Sequence, residues 1–213
     1  MDEMEKRILE FLKINYNSNG LIVDVGTNRG KWTKQCQIHF QNNKYIQFEA
    51  NPVLYTQLVK QKTDNITVLN KIVSYKEDDT IFILPPKHDG LSSTTYRPVF
   101  DTLNQHINEI SVDCYQIDTI EEGIFFLKID TEGGEFNVLK SAENKLKNKE
   151  IDFIQFECGE TFTDSNYTLQ QVVDYLDQYD YTVYDFKQPK IKKLIDCNNY
   201  EFNNFLATYK TIL

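Results

Sequence analysis

Four ionisable side chains fall within eight consecutive positions, Lys128-Ile129-Asp130-Thr131-Glu132-Gly133-Gly134-Glu135. An apolar run precedes them and predicts a buried strand, so these side chains are expected at the end of a sheet. A carboxylate in that place can take a proton from a hydroxyl group or stabilise a cationic, electrophilic reactant. We therefore assign Asp130 and Glu132 to catalysis, together with Lys128, which can orient a carboxylate. For Glu135 two roles are open, a part in the same chemistry or the cap of the following helix.

A glycine-containing turn follows an earlier apolar run and has the sequence Asp24-Val25-Gly26-Thr27-Asn28-Arg29-Gly30. Strand-to-helix turns of this kind bind ligands in α/β proteins, because glycine allows close approach and the helix start offers free N–H groups. The pattern differs from the Gly-x-Gly-x-x-Gly of dinucleotide sites. It fits a nucleoside that carries an amino acid, such as S-adenosylmethionine, with Asp24 near the ammonium group and turn N–H groups near the carboxylate. The alternative is a tight turn with a capping Asp.

The next strand along the chain ends at Glu49, where a carboxylate can accept hydrogen bonds from both ribose hydroxyls of an adenosine. Sites for nicotinamide dinucleotides have an acid at the same place. Glu49 therefore indicates an adenosine but does not distinguish S-adenosylmethionine from a dinucleotide. With Asp130, the residues that we assign to cofactor binding are Asp24, Gly26, Thr27, Asn28, Gly30, Glu49 and Asn70.

Strand and helix patterns alternate along most of the chain, which is typical of a parallel α/β sheet. Strands are predicted at residues 21–25, 45–49, 66–69, 81–84, 124–130, 151–157, 181–186 and 202–209. Helices are predicted over residues 2–16, from Trp32 to Phe40, over 54–60, through 136–146 and over 169–176. Residues 87–108 show no periodicity, and a loop of that length inside a domain is either mobile or functional.

Composition limits the function classes. The 213 residues contain 23 Lys and Arg against 32 Asp and Glu, a formal net charge of −9, which disfavours broad nucleic-acid binding. No apolar run approaches the roughly 20 residues that span a bilayer. The cysteines and histidines are dispersed, so no metal site is predicted. We expect one soluble, cytoplasmic domain over residues 1–213.

Four segments, at residues 23–30, 48–52, 115–120 and 127–135, resemble the FkbM family of S-adenosylmethionine-dependent methyltransferases. The last is the most specific, since the family usually has Lys-Ile-Asp-x-Glu-Gly-x-Glu there. The resemblance extends over about residues 21–157. This chain departs from it at Arg29, where members often have a small or apolar residue, and at Ala50, where Pro commonly follows the glutamate.

The resemblance implies a class I methyltransferase fold of the α/β, Rossmann-like type. Its seven-stranded, mostly parallel sheet has helices on both faces and an antiparallel C-terminal strand. It also implies S-adenosylmethionine as cofactor and O-methylation of a hydroxyl on a sugar, a glycan or a small secondary metabolite. Asp24, Asn28 and Glu49 then map to the cofactor site, and Asp130 lies near the methyl group. Residues 1–18 carry an N-terminal helix, and residues 85–110 form a loop insertion at the substrate.

Several alternatives stay open at this point. Either Asp130 or Glu132 could be the general base, and three clustered acids could instead hold a divalent cation. The chain could also be a binding module without catalysis, an NAD-dependent nucleotide-sugar enzyme or, least favoured by its charge, an RNA methyltransferase. The acceptor could lie beneath Tyr96, Arg97, Phe100 and His106, or these residues could simply pack a long loop. The segment Gly90-Leu91-Ser92-Ser93 resembles a family loop and is placed near the site.

Overall fold

The computed structural model describes residues 2–16, 18–76, 78, 80–85, 89–103, 106–187, 191–197 and 203–212. Its strands are β1 (Leu21–Val25), β2 (Tyr45–Phe48), β3 (Ile66–Leu69), β4 (Ile72–Val73), β5 (Thr80–Leu84), β6 (Asn108–Val112), β7 (Cys114–Tyr115), β8 (Ile124–Ile129), β9 (Ile151–Cys158), β10 (Thr182–Asp185), β11 (Lys192–Lys193) and β12 (Asn203–Thr208). Its α-helices are α1 (Glu3–Asn15), α2 (Lys31–His39), α3 (Pro52–Gln61), α4 (Glu135–Lys140), α5 (Glu143–Lys147), α6 (Glu160–Asp164) and α7 (Leu169–Asp177). Short 3₁₀ helices cover Asp89–Leu91, Pro98–Leu103 and Ile117–Thr119.

The main sheet has eight strands in the order β11-β10-β12-β9-β8-β1-β2-β3. Strands β3, β2, β1, β8 and β9 are parallel, and β12 runs antiparallel between β9 and β10. The parallel strands β1 and β8 are buried along their whole length, as expected of strands covered on both faces. The predicted fold class is confirmed. The two-residue strand β11 adds an eighth strand at the edge beside β10.

Helices cover both faces of this sheet, as predicted. Val23 and Leu127 belong to the core on the side of α4, α5 and α7. Ile22 and Phe126 point to the opposite face, where they pack with α1 and α2. Alternate residues of the same strands thus enter two separate apolar layers, which leaves the ends of the strands as the place for polar groups.

Local sequence sets the helix starts. Asp2 and Glu5 form a reciprocal capping box at α1, in which each side chain accepts the other residue's backbone N–H. At α3 the Asn51 side chain accepts the N–H of Val53, and Pro52 occupies the first turn, where its missing N–H costs nothing. The helix predicted over residues 54–60 is therefore present and begins two residues earlier, at Pro52.

Two elements differ from the sequence prediction. Strand β5 does not join the main sheet but pairs antiparallel with β6, and β4 pairs with β7 in a second small sheet. The helix predicted through residues 136–146 is divided into α4 and α5 at Ser141. The Ser141 hydroxyl donates to the Val138 carbonyl at 2.7 Å and accepts the N–H of Ile117, so it competes with the helical backbone pattern.

The less regular parts of the prediction are only partly covered. Phe202, the expected start of the last strand, lies outside the described residues, as do residues 87–88 and 104–105 of the unpatterned stretch. Its described part contains two of the 3₁₀ helices and a β-bridge between Ser93 and Ile83. None of the helices in the described ranges has both the length and the apolar character needed to cross a membrane.

Candidate active site

A cavity of about 320 Å³ opens at the carboxyl ends of β1, β2 and β8, a size within the usual range for small-molecule sites. Its floor comes from the main sheet and the loops after it: Val25, Gly26, Asn28, Phe48, Glu49, Ala50, Asp130, Thr131, Glu132, Gly134 and Asn137. Its wall comes from the chain between β3 and β5, from β5 itself and from the stretch after it: Lys71, Ile72, Val73, Ser74, Lys76, Thr80, Phe82, Gly90, Ser92, Thr94 and Thr95.

The turn after β1 is tied to its neighbours. The N–H groups of Gly26 and Thr27 both donate to the Phe48 carbonyl at 3.1 Å, and the Thr27 hydroxyl donates to the Asp24 carbonyl. Gly26 has φ +77°, and a Cβ built there would stand 1.8 Å from the carbonyl oxygen of Asp130. Only glycine fits this position, because the end of β8 presses against the turn. The close approach that the glycine permits is therefore to a neighbouring strand end.

Glu49 is held at the cavity by the backbone on both sides. Its Oε2 accepts the N–H of Asn28 at 2.6 Å, and its Oε1 accepts the N–H of Asn51 at 2.8 Å. The Asn70 amide donates to the carbonyls of Glu49 and Ala50, which fixes the backbone beneath. Burial raises the pKa of Glu49 to about 7, although the two N–H donors lower it.

Asp24 and Lys128 lie side by side on adjacent strands, behind the cavity floor. The Asp24 carboxylate is fully buried, accepts a 2.6 Å hydrogen bond from the Thr33 hydroxyl and lies 3.6 Å from the Lys128 ammonium. Burial disfavours the charge of Lys128, but the carboxylates of Asp130, Asp24 and Glu5 raise its pKa above the usual value. Lys128 therefore stays protonated and joins the two acids.

Asp130 follows β8 and accepts a 3.0 Å hydrogen bond from Lys128. Burial would raise the pKa of Asp130, yet the Lys128 charge and a hydrogen bond with Glu157 lower it, so the carboxylate stays ionised. Glu157, near the end of β9, has its pKa raised by burial and by the Asp130 charge, and keeps its proton. The sequence analysis missed Glu157 as a site residue. The signal was present, because an acid directly follows β8 and another is the penultimate residue of its parallel neighbour β9.

Glu132 has a left-handed backbone, with φ 54°, and a partly exposed side chain at the cavity. Its Oε2 accepts a 2.7 Å hydrogen bond from Nη1 of Arg97, and its carbonyl accepts one from the Ser93 hydroxyl. Burial and the charge of Asp130 raise the pKa of Glu132 to about 7, against the effect of Arg97. Arg97, for which the sequence left open contact with an acceptor or packing within a long loop, is buried against the acids Glu132 and Asp164.

Glu135 organises the loop before α4 from beneath. Its carboxylate accepts the N–H groups of Thr131 and Gly133, the Thr131 hydroxyl and the Tyr167 hydroxyl. It is 1% exposed and is absent from the cavity lining. Of the two roles that the sequence left open for Glu135, the structure gives it the capping and scaffolding one.

The predicted site residues thus divide into two groups. Those that line the cavity are Gly26, Asn28, Glu49, Asp130 and Glu132. Those that are absent from the lining and make polar contacts within the protein are Asp24, Thr27, Asn70 and Lys128, although the buried Oδ1 of Asp24 has no hydrogen-bond partner among the described residues. Gly30 is also absent from the lining and starts α2 with φ +72°. The segment that contains Gly90 and Ser92 does reach the cavity, as expected.

The backbone N–H groups of the turn already have partners within the protein. The N–H groups of Gly26, Thr27 and Asn28, expected to bind the cofactor carboxylate, all donate to the end of β2 and to Glu49, because the turn packs against that strand end.

The sequence left open that the clustered acids hold a divalent cation. Within the described ranges, no group of three His, Cys, Asp or Glu side chains is arranged to hold a metal ion.

Comparison with known proteins identifies the family. A sequence profile of the FkbM methyltransferase domain matches residues 24–183, which is most of the chain. The chain belongs to the FkbM methyltransferase family. The family predicted from four short segments is therefore confirmed, and S-adenosylmethionine is the methyl donor. No curated protein matches the sequence.

Solved structures support the fold of this FkbM methyltransferase. A TehB-like SAM-dependent methyltransferase from Corynebacterium glutamicum is 12% identical, with a TM-score of 0.52 over 97% of this chain and 88% of that one. A candidate methyltransferase from Streptococcus mutans, in complex with SAH, is 11% identical, with a TM-score of 0.52 over 98% of each chain. At such identities the likeness concerns the fold alone.

The cavity of the FkbM methyltransferase has groups that suit such a donor. Glu49 offers a carboxylate to vicinal hydroxyls at one part of the floor, and Asp130 offers an ionised carboxylate to a cation at another. In the wall, the Ser92 hydroxyl oxygen is buried and has no hydrogen-bond partner among the described residues. Buried polar atoms are normally bonded, so this hydroxyl is available to a ligand.

Proposed function

We propose that this methyltransferase transfers the methyl group of S-adenosylmethionine to a hydroxyl oxygen of a sugar, a glycan or a small metabolite. The observation that carries the proposal is the pair of acids after β8. Asp130 and Glu132 line one cavity with Glu49, yet the pKa of Asp130 is lowered while that of Glu132 is raised to about 7. Two neighbouring acids with divergent pKa values are suited to different tasks.

Glu49 is the proposed ribose contact. Each of its oxygens accepts one backbone N–H, and a carboxylate oxygen has a second lone pair for a hydroxyl donor. Gly26 and Asn28 form the adjoining floor. Asp24, Thr27, Gly30, Asn70 and Lys128 keep this edge of the sheet in place.

Asp130 and Glu132 have separate proposed roles. When bound, S-adenosylmethionine supplies a methyl group on a positively charged sulfur. Asp130 stays ionised and stabilises that positive charge. Glu132, whose pKa is near neutrality, takes the proton of the acceptor hydroxyl. The oxygen of that hydroxyl bonds to the methyl carbon, and the electron pair of the broken carbon–sulfur bond returns to sulfur. Alignment of the two reactants contributes several kcal/mol more.

The wall supports a hydroxylated acceptor. Its lining includes Ser74, Thr80, Ser92, Thr94 and Thr95, whose hydroxyl groups are of the kind that donates and accepts hydrogen bonds. The net charge of −9 argues against nucleic acid as acceptor. We further propose that residues 1–213 form a single domain in which the described part of residues 85–110 covers the acceptor.

Calorimetry tests the cofactor part of this proposal. Titration with S-adenosylmethionine is expected to give saturable binding, whereas NAD gives none. Glu49→Gln should weaken donor binding at least about tenfold, since two charge-assisted contacts are lost. Glu143→Gln, at an exposed position on α5, is the matched control. Binding of NAD alone would overturn the proposal, and unchanged donor affinity in Glu49→Gln would remove the ribose assignment.

The acceptor part is tested by transfer of a labelled methyl group to a panel of hydroxylated sugars, small metabolites and RNA. Transfer to a sugar or metabolite hydroxyl, located by mass spectrometry, is the expected result. Transfer to RNA only, or to nitrogen rather than oxygen, would contradict the proposed acceptor class without affecting the cofactor assignment.

A further inference from the structure

Arg97 joins three separate parts of the chain beside the cavity. It lies in the segment 89–103, and only 9% of its side chain is exposed. Its Nη1 donates to Oε2 of Glu132 at 2.7 Å, and its Nε donates to Oδ2 of Asp164, on α6, at 3.3 Å. A guanidinium has several donors in one plane, so contact with two carboxylates fixes its orientation.

Glu132 needs such support. Its left-handed backbone is uncommon for a residue with a long side chain and persists only where neighbours hold it. Two groups of the segment 89–103 hold it, Arg97 at the carboxylate and Ser93 at the backbone carbonyl. Arg97 engages only Oε2 of the carboxylate. Among the described residues Oε1 has no hydrogen-bond partner, which leaves it for the cavity.

We propose that Arg97 is a positioning residue, which aims the Glu132 carboxylate at the acceptor and joins the segment 89–103 to the group that takes the proton. This inference rests on the role proposed above for Glu132. It differs from both roles that the sequence left open for Arg97, contact with the acceptor itself and packing within a long loop.

The charges around Glu132 give the inference a measurable consequence. Asp130 after β8, Glu135 on α4, Glu157 on β9 and Asp164 on α6 are acids, and Arg97 is the cation that contacts Glu132. Loss of Arg97 therefore raises the pKa of Glu132. Because only the ionised form accepts a proton, the ascending limb of the pH–rate profile then moves to higher pH.

The first measurement uses the protein without donor or acceptor. Hydrogen exchange is followed in the segment 89–103, where the Ser93 N–H bonds to Ile83 and the Phe100 N–H bonds to Arg97. Arg97→Gln should exchange several-fold faster there, and Arg97→Lys less so. Lys44→Gln is the matched control, because it breaks an exposed ion pair with Glu122 far from the site. Wild-type exchange in Arg97→Gln would overturn the link between segment and site.

The second measurement uses methyl transfer. In Arg97→Gln we expect kcat to fall about tenfold to a hundredfold, as for a misplaced catalytic group, with donor affinity unchanged and the ascending limb shifted upward. The double variant Arg97→Gln/Glu132→Gln should have the same kcat as the single variant Glu132→Gln. Added guanidinium ions should partly restore the kcat of Arg97→Gln. Additive losses with an unshifted limb would overturn the inference. A wild-type protein that binds no donor would instead contradict the proposed function, and the exchange result would be unaffected.

Discussion

The turn at residues 24–30 and the segment at residues 128–135 lie at the same edge of the sheet, and both contain acids, yet they use them differently. In the turn, Asp24 is enclosed between Thr33 and Lys128, and the N–H groups are bonded to β2. In the segment, Asp130 and Glu132 open on the cavity. The comparison shows that the acids of these two segments divide between holding the sheet edge together and lining the cavity.

The strongest test of this division is Glu132→Gln. We expect kcat to fall about a hundredfold or more, the usual loss when a general base is removed, while donor affinity and stability stay near wild type. Steady-state kinetics with saturating donor and acceptor measure this, with Glu143→Gln as control. Wild-type kcat in Glu132→Gln, together with a large loss in Asp130→Asn, would move the base role to Asp130.

Asp24→Asn tests the other side of the comparison. The substitution removes a buried charge beside Lys128, so the free energy of unfolding should fall by about 3 kcal/mol. Urea denaturation measures this loss, and calorimetry should find donor affinity close to wild type. The exposed Asp64→Asn is the control. Full stability combined with lost donor binding would show that Asp24 serves the cofactor directly.

Glu135→Gln asks whether an acid of the second segment can behave like Asp24. The neutral amide cannot accept all the N–H and O–H donors that surround the carboxylate, so the free energy of unfolding should fall by about 2 kcal/mol. Activity per folded molecule should change little. If denaturation curves were superimposable and transfer were lost, Glu135 would belong with Glu132 in function.

The pH dependence of kcat gives a smaller and sharper test. Because Glu132 accepts a proton only when ionised and its pKa is about 7, kcat should fall about tenfold for each pH unit below 7 and level off above it. Glu132→Gln should abolish this limb. A limb that persisted in the variant would have to come from another group.

The fold was largely predictable because its strands are short apolar runs separated by turns and amphipathic helices. Alternation did not show where β5 pairs, since a strand in a small side sheet has the same residue types as one in the main sheet. Nor could it show which way Asp24 points. In a strand that is buried on both faces, no polar face indicates toward which side of the sheet a given side chain points.

The site was predictable where neighbours in sequence are neighbours in space, as with Asp130 and Glu132. Arg97 lies 35 positions before Glu132, and Glu157 lies 27 positions after Asp130 on a neighbouring strand. Patterns in a single sequence do not reveal contacts between residues so far apart. The acid at the end of β9 was visible in the sequence. Its significance depends on the parallel register that brings Phe156 beside Ile129 and Glu157 next to Asp130.

The cavity has a floor on the main sheet and a wall on separate small sheets and loops, and this has a consequence for evolution. Floor positions such as Gly26 are constrained by strand packing, so substitutions there disturb the whole edge. Wall positions such as Thr94 and Thr95 carry side chains on a segment outside the main sheet. Exchange of wall residues therefore changes the shape and polarity of the cavity, in nature or in a laboratory library, while the floor on the main sheet is inherited unchanged.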